Sequence, residues 1–224
     1  MKIKFHILKF LFNLILLNIF LLNNVNTQEI HDDLLKRLDV TFPAEIFFTQ
    51  TDSNKTSARG WMVIGQKGFA RVEFEPPNHF IMVADGSWLI FHDAQYDRTS
   101  YFPLDKGILG ALLHPEKFNS ENKLSISRLK NNTNLYYSVL SENFEGSELK
   151  VYFDKSSEEL KGWEIFENGK LSIKVDISKI NKLDNLISFN ENIFKFPEFM
   201  RASSKGFLGP YKRVIKKLPT SNRN

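Results

Sequence analysis

The chain has 224 residues, 25% of them charged and 42% hydrophobic, with 21 Phe and no Cys. That length suits one domain stabilised by its own core, and the lack of Cys excludes both a disulfide scaffold and a lipid attached to a Cys behind an export signal. The net charge of +4 is uneven: setting aside the three Lys of residues 1–26 and the seven cations of residues 201–224 leaves −6 for residues 27–200. An acidic body that is exported from the cytoplasm argues against nucleic acid as a partner.

Residues 1–28 read as a secretory signal peptide. Lys2, Lys4 and Lys9 precede the thirteen residues Phe10–Leu22, which are apolar except for Asn13 and Asn18. A basic start and a short apolar core fit a signal better than a membrane span, which needs about 20 apolar residues. Cleavage is expected near Asn26 or Thr27; the small-residue pattern there is poor, so an uncleaved N-terminal anchor stays open. The mature protein is then expected to be soluble after export.

Residues 29–39 predict a helix, with Ile30, Leu34, Leu35 and Leu38 on one apolar stripe. Residues 46–50 predict a strand. Residues 58–104 hold several strand-like runs between tight turns, including a two-residue Asp85-Gly86 turn of type I′ between residues 80–84 and 87–91. Residues 104–113 form a short apolar helix candidate, in which Gly107 and Gly110 each weaken helicity by about 1 kcal/mol relative to Ala. Strands are predicted at 124–130 and 135–142 around a polar turn. Another at 148–154 alternates Leu149, Val151 and Phe153 with polar positions, and strands at 161–167 and 170–177 flank Asn168-Gly169. Sequential strands joined by short turns make an antiparallel meander.

Two of the runs, residues 80–84 and 88–91, are apolar on both faces. Strands covered on both sides occur where a sheet wraps an interior and is also capped from outside. A curved, partly closed sheet with helices on its concave side satisfies this pattern; a plain sandwich core also does. Residues 198–224 form a basic extension, read either as a solvated terminus or as a contact for an anionic membrane surface.

From Phe48 to Leu104 the chain resembles the LolA family of periplasmic lipoprotein carriers. The family's Phe-x-Gln strand is matched by Phe48-Thr49-Gln50 and its Gly-containing strand by Gly60-Trp61-Met62-Val63-Ile64. Its Arg-aromatic-Glu strand is matched by Arg71-Val72-Glu73, its hairpin by Ala84-Asp85-Gly86-Ser87-Trp88, and its Pro-Leu by Pro103-Leu104. Ile193-Phe194-Lys195-Phe196-Pro197 is similar to the closing Phe-x-Phe-x-Pro strand. Two departures stand out. The family's Arg-Pro-Gly, whose Arg looks like the lid latch, reads Gln66-Lys67-Gly68, and the basic tail has no counterpart.

The resemblance implies a mainly β (α+β) fold over residues 29–197, a half-open antiparallel β-barrel closed by a helical lid. It implies a monomeric chaperone that carries acylated lipoproteins from the inner to the outer membrane. The expected partners are an inner-membrane lipoprotein-releasing ABC transporter and an outer-membrane lipoprotein receptor, with no cofactor. The lipid-binding cavity is expected at Phe48, Met62, Ile64, Val72, Phe74, Met82, Trp88, Ile90 and Phe91. The lid is expected at Leu104, Ile108, Leu109, Leu112 and Leu113, with Gln66 at the latch. A lipid-sensing regulatory module of the same fold is the alternative. A cell-envelope hydrolase ranks below it, because His31, His79, His92 and His114 are scattered without metal-ligand spacing and no nucleophile elbow or phosphate-cradling loop occurs.

Overall fold

The computed structural model describes residues 28–65, 68–78, 80–93, 95–114, 124–141, 146–183 and 194. Residues 1–27 of the expected signal peptide, the basic extension, Gln66 and His79 therefore lie outside the described residues. Among the described residues no helix is long and apolar enough to cross a membrane.

Helix α1 covers residues 28–41 and buries Leu34 and Leu38 from its apolar stripe. Eleven strands follow among the described residues: β1 Ala44–Asp52, β2 Ser57–Ile64, β3 Phe69–Phe74, β4 Phe80–Asp85, β5 Trp88–Asp93, β6 Arg98–Pro103, β7 Leu124–Lys130, β8 Asn134–Ser141, β9 Ser147–Asp154, β10 Leu160–Glu167 and β11 Lys170–Lys182. All lie in one sheet, ordered β6-β5-β4-β3-β2-β1-β11-β10-β9-β8-β7. The sheet is two antiparallel meanders joined where β1 pairs with β11. Its edges, β6 and β7, do not pair with each other, so the sheet curls without closing into a barrel. The curl has local causes: register shifts at Phe47/Phe48, Leu160/Gly162 and Ile165/Phe166 sit in the central strands, and such bulges bend a strand and raise its twist.

Turn chemistry follows the side chains present. Asn168 and Gly169 both take positive φ, 51° and 73°, the pair that a type I′ hairpin demands. The Asp85-Gly86 hairpin is built differently from the expected two-residue turn. Only Gly86 has positive φ, and the Asp85 carboxylate accepts the backbone N–H groups of Ser87 and Trp88 at 3.0 and 2.8 Å. The last paired residues there are Ala84 and Leu89. Asp supplies a side-chain acceptor here instead of an unusual backbone angle.

The helix expected at 104–113 is also broken. A 3₁₀ turn over Leu104–Lys106 ends at Gly107, whose backbone is extended, and only Gly110–Leu113 (α2) is α-helical. Gly107 gives the backbone little reason to stay helical.

The concave side of the sheet divides in two. Over β7–β9 it is filled by α1, held by a charged cluster. Asp33 accepts hydrogen bonds from the Tyr137 hydroxyl and, at 2.9 Å, from Arg128. Arg37 donates to Tyr137 at 2.9 Å and pairs with Glu158 at 3.2 Å. Burial alone would raise the Asp33 carboxyl, but the bonds from Tyr137 and Arg128 and the charges of Arg37 and Arg128 hold it below its ordinary 3.8. Burial and the bond to Asp33 push the Tyr137 phenol up to about 12. A depressed carboxyl stabilises the fold fully above its unfolded pKa, and that stabilisation is lost as pH falls through the folded value. Asp33→Asn is therefore expected to lower stability by about 1–2 kcal/mol at neutral pH, less than a buried charged bond because the side chains remain partly exposed. Urea midpoints measured between pH 7 and pH 3 should show the wild type losing part of its advantage on the acid side. Parallel curves for both proteins would contradict this.

The outer face of β2–β5 is buried too. Trp61, Val63, Arg71, Glu73, Ile81, Val83, Ile90 and His92 all point there by strand parity and are nearly inaccessible. Phe194, itself buried, lies with its ring 5.7 Å from that of Phe69 on the same side. This is why residues 80–84 and 88–91 read as apolar on both faces.

Candidate functional site

Over the other half, the concave face forms a partly open cavity of about 370 Å³. Inward positions recur with period two: Phe48 on β1, Met62 and Ile64 on β2, Ala70, Val72 and Phe74 on β3, Phe80, Met82 and Ala84 on β4, and Leu89 and Phe91 on β5. Trp163 and Ile165 of β10 and Ile173 and Val175 of β11 close the opposite wall, and Leu109, Leu112 and Leu113 roof it. The floor is made of small residues. Ala70 and Ala84 are direct cross-strand partners, and Ala58 and Gly60 precede Met62 on the same face. A sheet curled this tightly leaves volume only where the inward side chains are short.

Gly60 has a second role. A Cβ there would lie 2.4 Å from the Glu73 carbonyl oxygen and 2.8 Å from the Phe48 ring, which itself meets Phe74 edge-on at 5.5 Å. Gly60→Ala is thus expected to destabilise by about 1–3 kcal/mol, since backbone and a packed ring must both move. Thermal unfolding checks it; an unchanged midpoint would mean that the β3 backbone at Glu73 and the Phe48 ring both give way without cost.

Of the expected cavity residues, Phe48, Met62, Ile64, Val72, Phe74, Met82 and Phe91 are brought together here. Trp88 and Ile90 are not. Both lie out of phase with Leu89 and Phe91 and point to the outer face, where Ile90 is buried and Trp88 is 44% exposed, edge-on to Tyr101. Of the expected lid, Leu109, Leu112 and Leu113 face the cavity, whereas Ile108 packs into the core without lining it. Leu104 lies beneath a separate hollow of about 300 Å³ shared with Trp88, Pro103 and His114. The 3₁₀ turn and the break at Gly107 turn Leu104 and Ile108 away from the face that one continuous helix would have given them. Sequence reasoning missed Ala58, Ala70, Ala84, Phe80, Leu89, Trp163, Ile165, Ile173 and Val175. Parity with Met82 and Met62 would have found those on β2–β5, but the far wall depends on the β1–β11 closure, which no local pattern announces.

The lid is fixed by main-chain bonds. The Gly68 N–H donates to the Leu113 carbonyl at 2.8 Å, and the Leu104 N–H donates to that of Ser87 at 2.9 Å. Gln66, the expected latch, lies outside the described residues, two positions before Gly68.

No set of three or more His, Cys, Asp or Glu that could hold a metal ion occurs among the described residues. His92 is buried on the outer face with Nδ1 3.1 Å from the Thr99 hydroxyl, away from the cavity lining.

The profile of the family described as outer membrane lipoprotein carrier protein LolA matches residues 41–197. The chain belongs to the LolA family. The match takes in every strand of the LolA sheet. Among solved structures, this LolA-family chain is similar to a putative outer membrane lipoprotein-sorting protein domain from Vibrio parahaemolyticus, at 11% identity and a TM-score of 0.47, covering 76% of this chain and 96% of that one. An uncharacterized conserved protein from Thermus thermophilus aligns at 12% identity and a TM-score of 0.45, over 76% and 94%. The MucA/MucB complex of Pseudomonas aeruginosa aligns at 13% and 0.42, over 67% and 56%. No curated protein sequence matches it significantly.

Proposed function

We propose that this chain is a periplasmic carrier that takes the acyl chains of lipoproteins into the concave cavity and moves them from the inner to the outer membrane. The observation that carries the reading is the cavity itself: apolar over most of its wall, roofed by one α-helical turn, in a member of a lipoprotein-carrier family. Its volume lies at the lower end of the range for small-molecule sites, about 300–1,000 Å³. Each acyl CH₂ left in water costs about 0.8 kcal/mol, so a multi-chain anchor does not cross an aqueous compartment bare. A carrier answers this with dry apolar walls that hold cargo by shape and burial, without directional bonds that would resist release.

The roof suits loading and unloading. Four helical residues without a side-chain cap follow an extended Gly107, and among the described residues their backbone is tied to the sheet by the bond from Gly68 to Leu113. Displacing them exposes the cavity without disturbing the sheet. No bond-making step is needed, and we assign none. An inner-membrane ABC transporter would load the carrier and an outer-membrane receptor would unload it.

The test is release of a labelled triacylated lipoprotein from inner-membrane vesicles that contain the transporter. The soluble fraction should rise with added protein and with ATP. Binding of lipopeptide without any release from vesicles would overturn the carrier reading and favour a lipid-sensing module.

A further inference from the structure

We propose that the end of the cavity remote from the lid is a head-group subsite, which accepts an uncharged or amine-bearing polar head and disfavours a phosphate. This rests on the lipid-binding reading above and specifies the chemistry of its ligand.

The polar lining residues are few and gathered together. They are Gln50, Asp52, Thr56 and Asn78, while the rest of the lining is apolar. Gln50 and Asp52 end β1, Thr56 is in the β1–β2 hairpin, and Asn78 is in the turn before β4. Register keeps them at one end of the sheet: Gln50 pairs with Ala58, and the Asp52 N–H donates to the Thr56 carbonyl at 3.0 Å. The lid sits at the other end, where Gly68 holds Leu113. From Ala58 to Ile64, both lining the cavity, β2 rises through six residue steps, about 20 Å. An amphiphile therefore has one favourable orientation, tail toward the lid and head toward Asp52, because a polar head among Met62, Phe74 and Met82 would lose its hydrogen bonds.

The charge at that end decides the class of head. Asp52 is the one charged side chain among the described lining residues. One of its carboxylate oxygens accepts the N–H groups of Asn54 and Thr56, each at 2.9 Å, which fixes the group in place. The Gln50 amide and the Thr56 hydroxyl have no side-chain partner within 3.5 Å among the described residues and remain available to a ligand's hydroxyl, amide or amine. No cation lines the cavity among the described residues: Lys55 is exposed in the hairpin turn, Arg59, 75% exposed, pairs with Glu75 at 3.1 Å, and Lys174, cross-strand from Thr51, pairs with Asp176 at 3.1 Å. A phosphate head would meet a fixed carboxylate without a compensating cation.

The test compares two probes that differ only in the phosphate, monooleoylglycerol and oleoyl lysophosphatidic acid, titrated calorimetrically into the full chain below their micellar concentrations. Monooleoylglycerol should bind at least tenfold more tightly. Asp52→Asn, which keeps the turn's side-chain acceptor, should close the gap to within about threefold by strengthening the phosphate lipid. Gln50→Leu should weaken monooleoylglycerol severalfold. Equal affinities in the wild type, or a gap that Asp52→Asn leaves untouched, would overturn the subsite while leaving lipid binding intact. If neither probe binds to folded protein, the lipid-binding reading falls as well.

Discussion

Met82→Glu is expected to abolish acyl-chain binding while leaving the sheet folded. Met82 lies in the middle of β4, paired with Val72 and Phe91, and all three line the cavity. A carboxylate there must either stay charged in an apolar enclosure or take up a proton, and in both cases it displaces the hydrocarbon that would fill the space. Affinity for a triacylated lipopeptide should fall at least a hundredfold, about 2.7 kcal/mol. Far-ultraviolet circular dichroism should be unchanged, because Met82 is only partly buried and the cavity leaves room for an added carboxylate. Met82→Leu should bind as the wild type does, volume being nearly conserved. Trp88→Glu is the control from the outer face and should also retain binding. If Met82→Glu bound normally and Trp88→Glu did not, the ligand would occupy the other side of the sheet.

Arg71→Met is expected to cost about 3–5 kcal/mol of stability, among the largest single effects in the molecule. The Arg71 and Glu73 side chains are almost wholly inaccessible on the outer face of β3, and Arg71 Nε donates to Glu73 at 2.7 Å. Removing the guanidinium takes the Arg71 bonds away from a buried carboxylate that lies beside Trp61 and Ile81, its cross-strand partners. Arg71→Met/Glu73→Leu removes both charges and should cost clearly less than the single change. Urea unfolding of both single variants and the double variant closes the cycle; a double cost equal to the sum of the single costs would show that the pair is not energetically coupled. Both side chains point away from the cavity, so protein that remains folded should bind lipopeptide with near-wild-type affinity.

These two expectations rest on strand parity, the feature most legible in the sequence. Turn residues and period-two runs locate most of the strands between β1 and β11 to within one or two positions at most ends. The Asn168-Gly169 pair and the alternation of Leu149, Val151 and Phe153 are local signals that tertiary context does not override. Parity itself is less visible where both faces are apolar. In β5, Leu89, Ile90 and Phe91 are all strongly hydrophobic, so nothing in their chemistry says which of them faces the cavity. Ile90 is therefore expected in the cavity from sequence, and Trp88 with it. Only the neighbouring register, Ala84 against Leu89 and Met82 against Phe91, settles the phase.

Two other features are out of reach of sequence for physical reasons. The pairing of β1 with β11 joins residues 44–52 to residues 173–182, a contact set by global closure and not by local propensity. That closure brings Trp163, Ile165, Ile173 and Val175 into the cavity wall. The charged cluster that holds α1 over β7 and β8 is likewise assembled from Asp33 and Arg37 on one side and Arg128 and Tyr137 on the other, about a hundred residues apart along the chain. Its sequence trace is only a solvent-facing helix side with an acid and a base at i and i+4.

Native mass spectrometry of the purified protein, before and after incubation with a triacylated lipopeptide, tests whether the concave cavity holds acyl chains. A bound mass matching one lipopeptide per chain is expected, lost in Met82→Glu and retained in Trp88→Glu. A folded protein that stays empty in the presence of excess lipopeptide would contradict it.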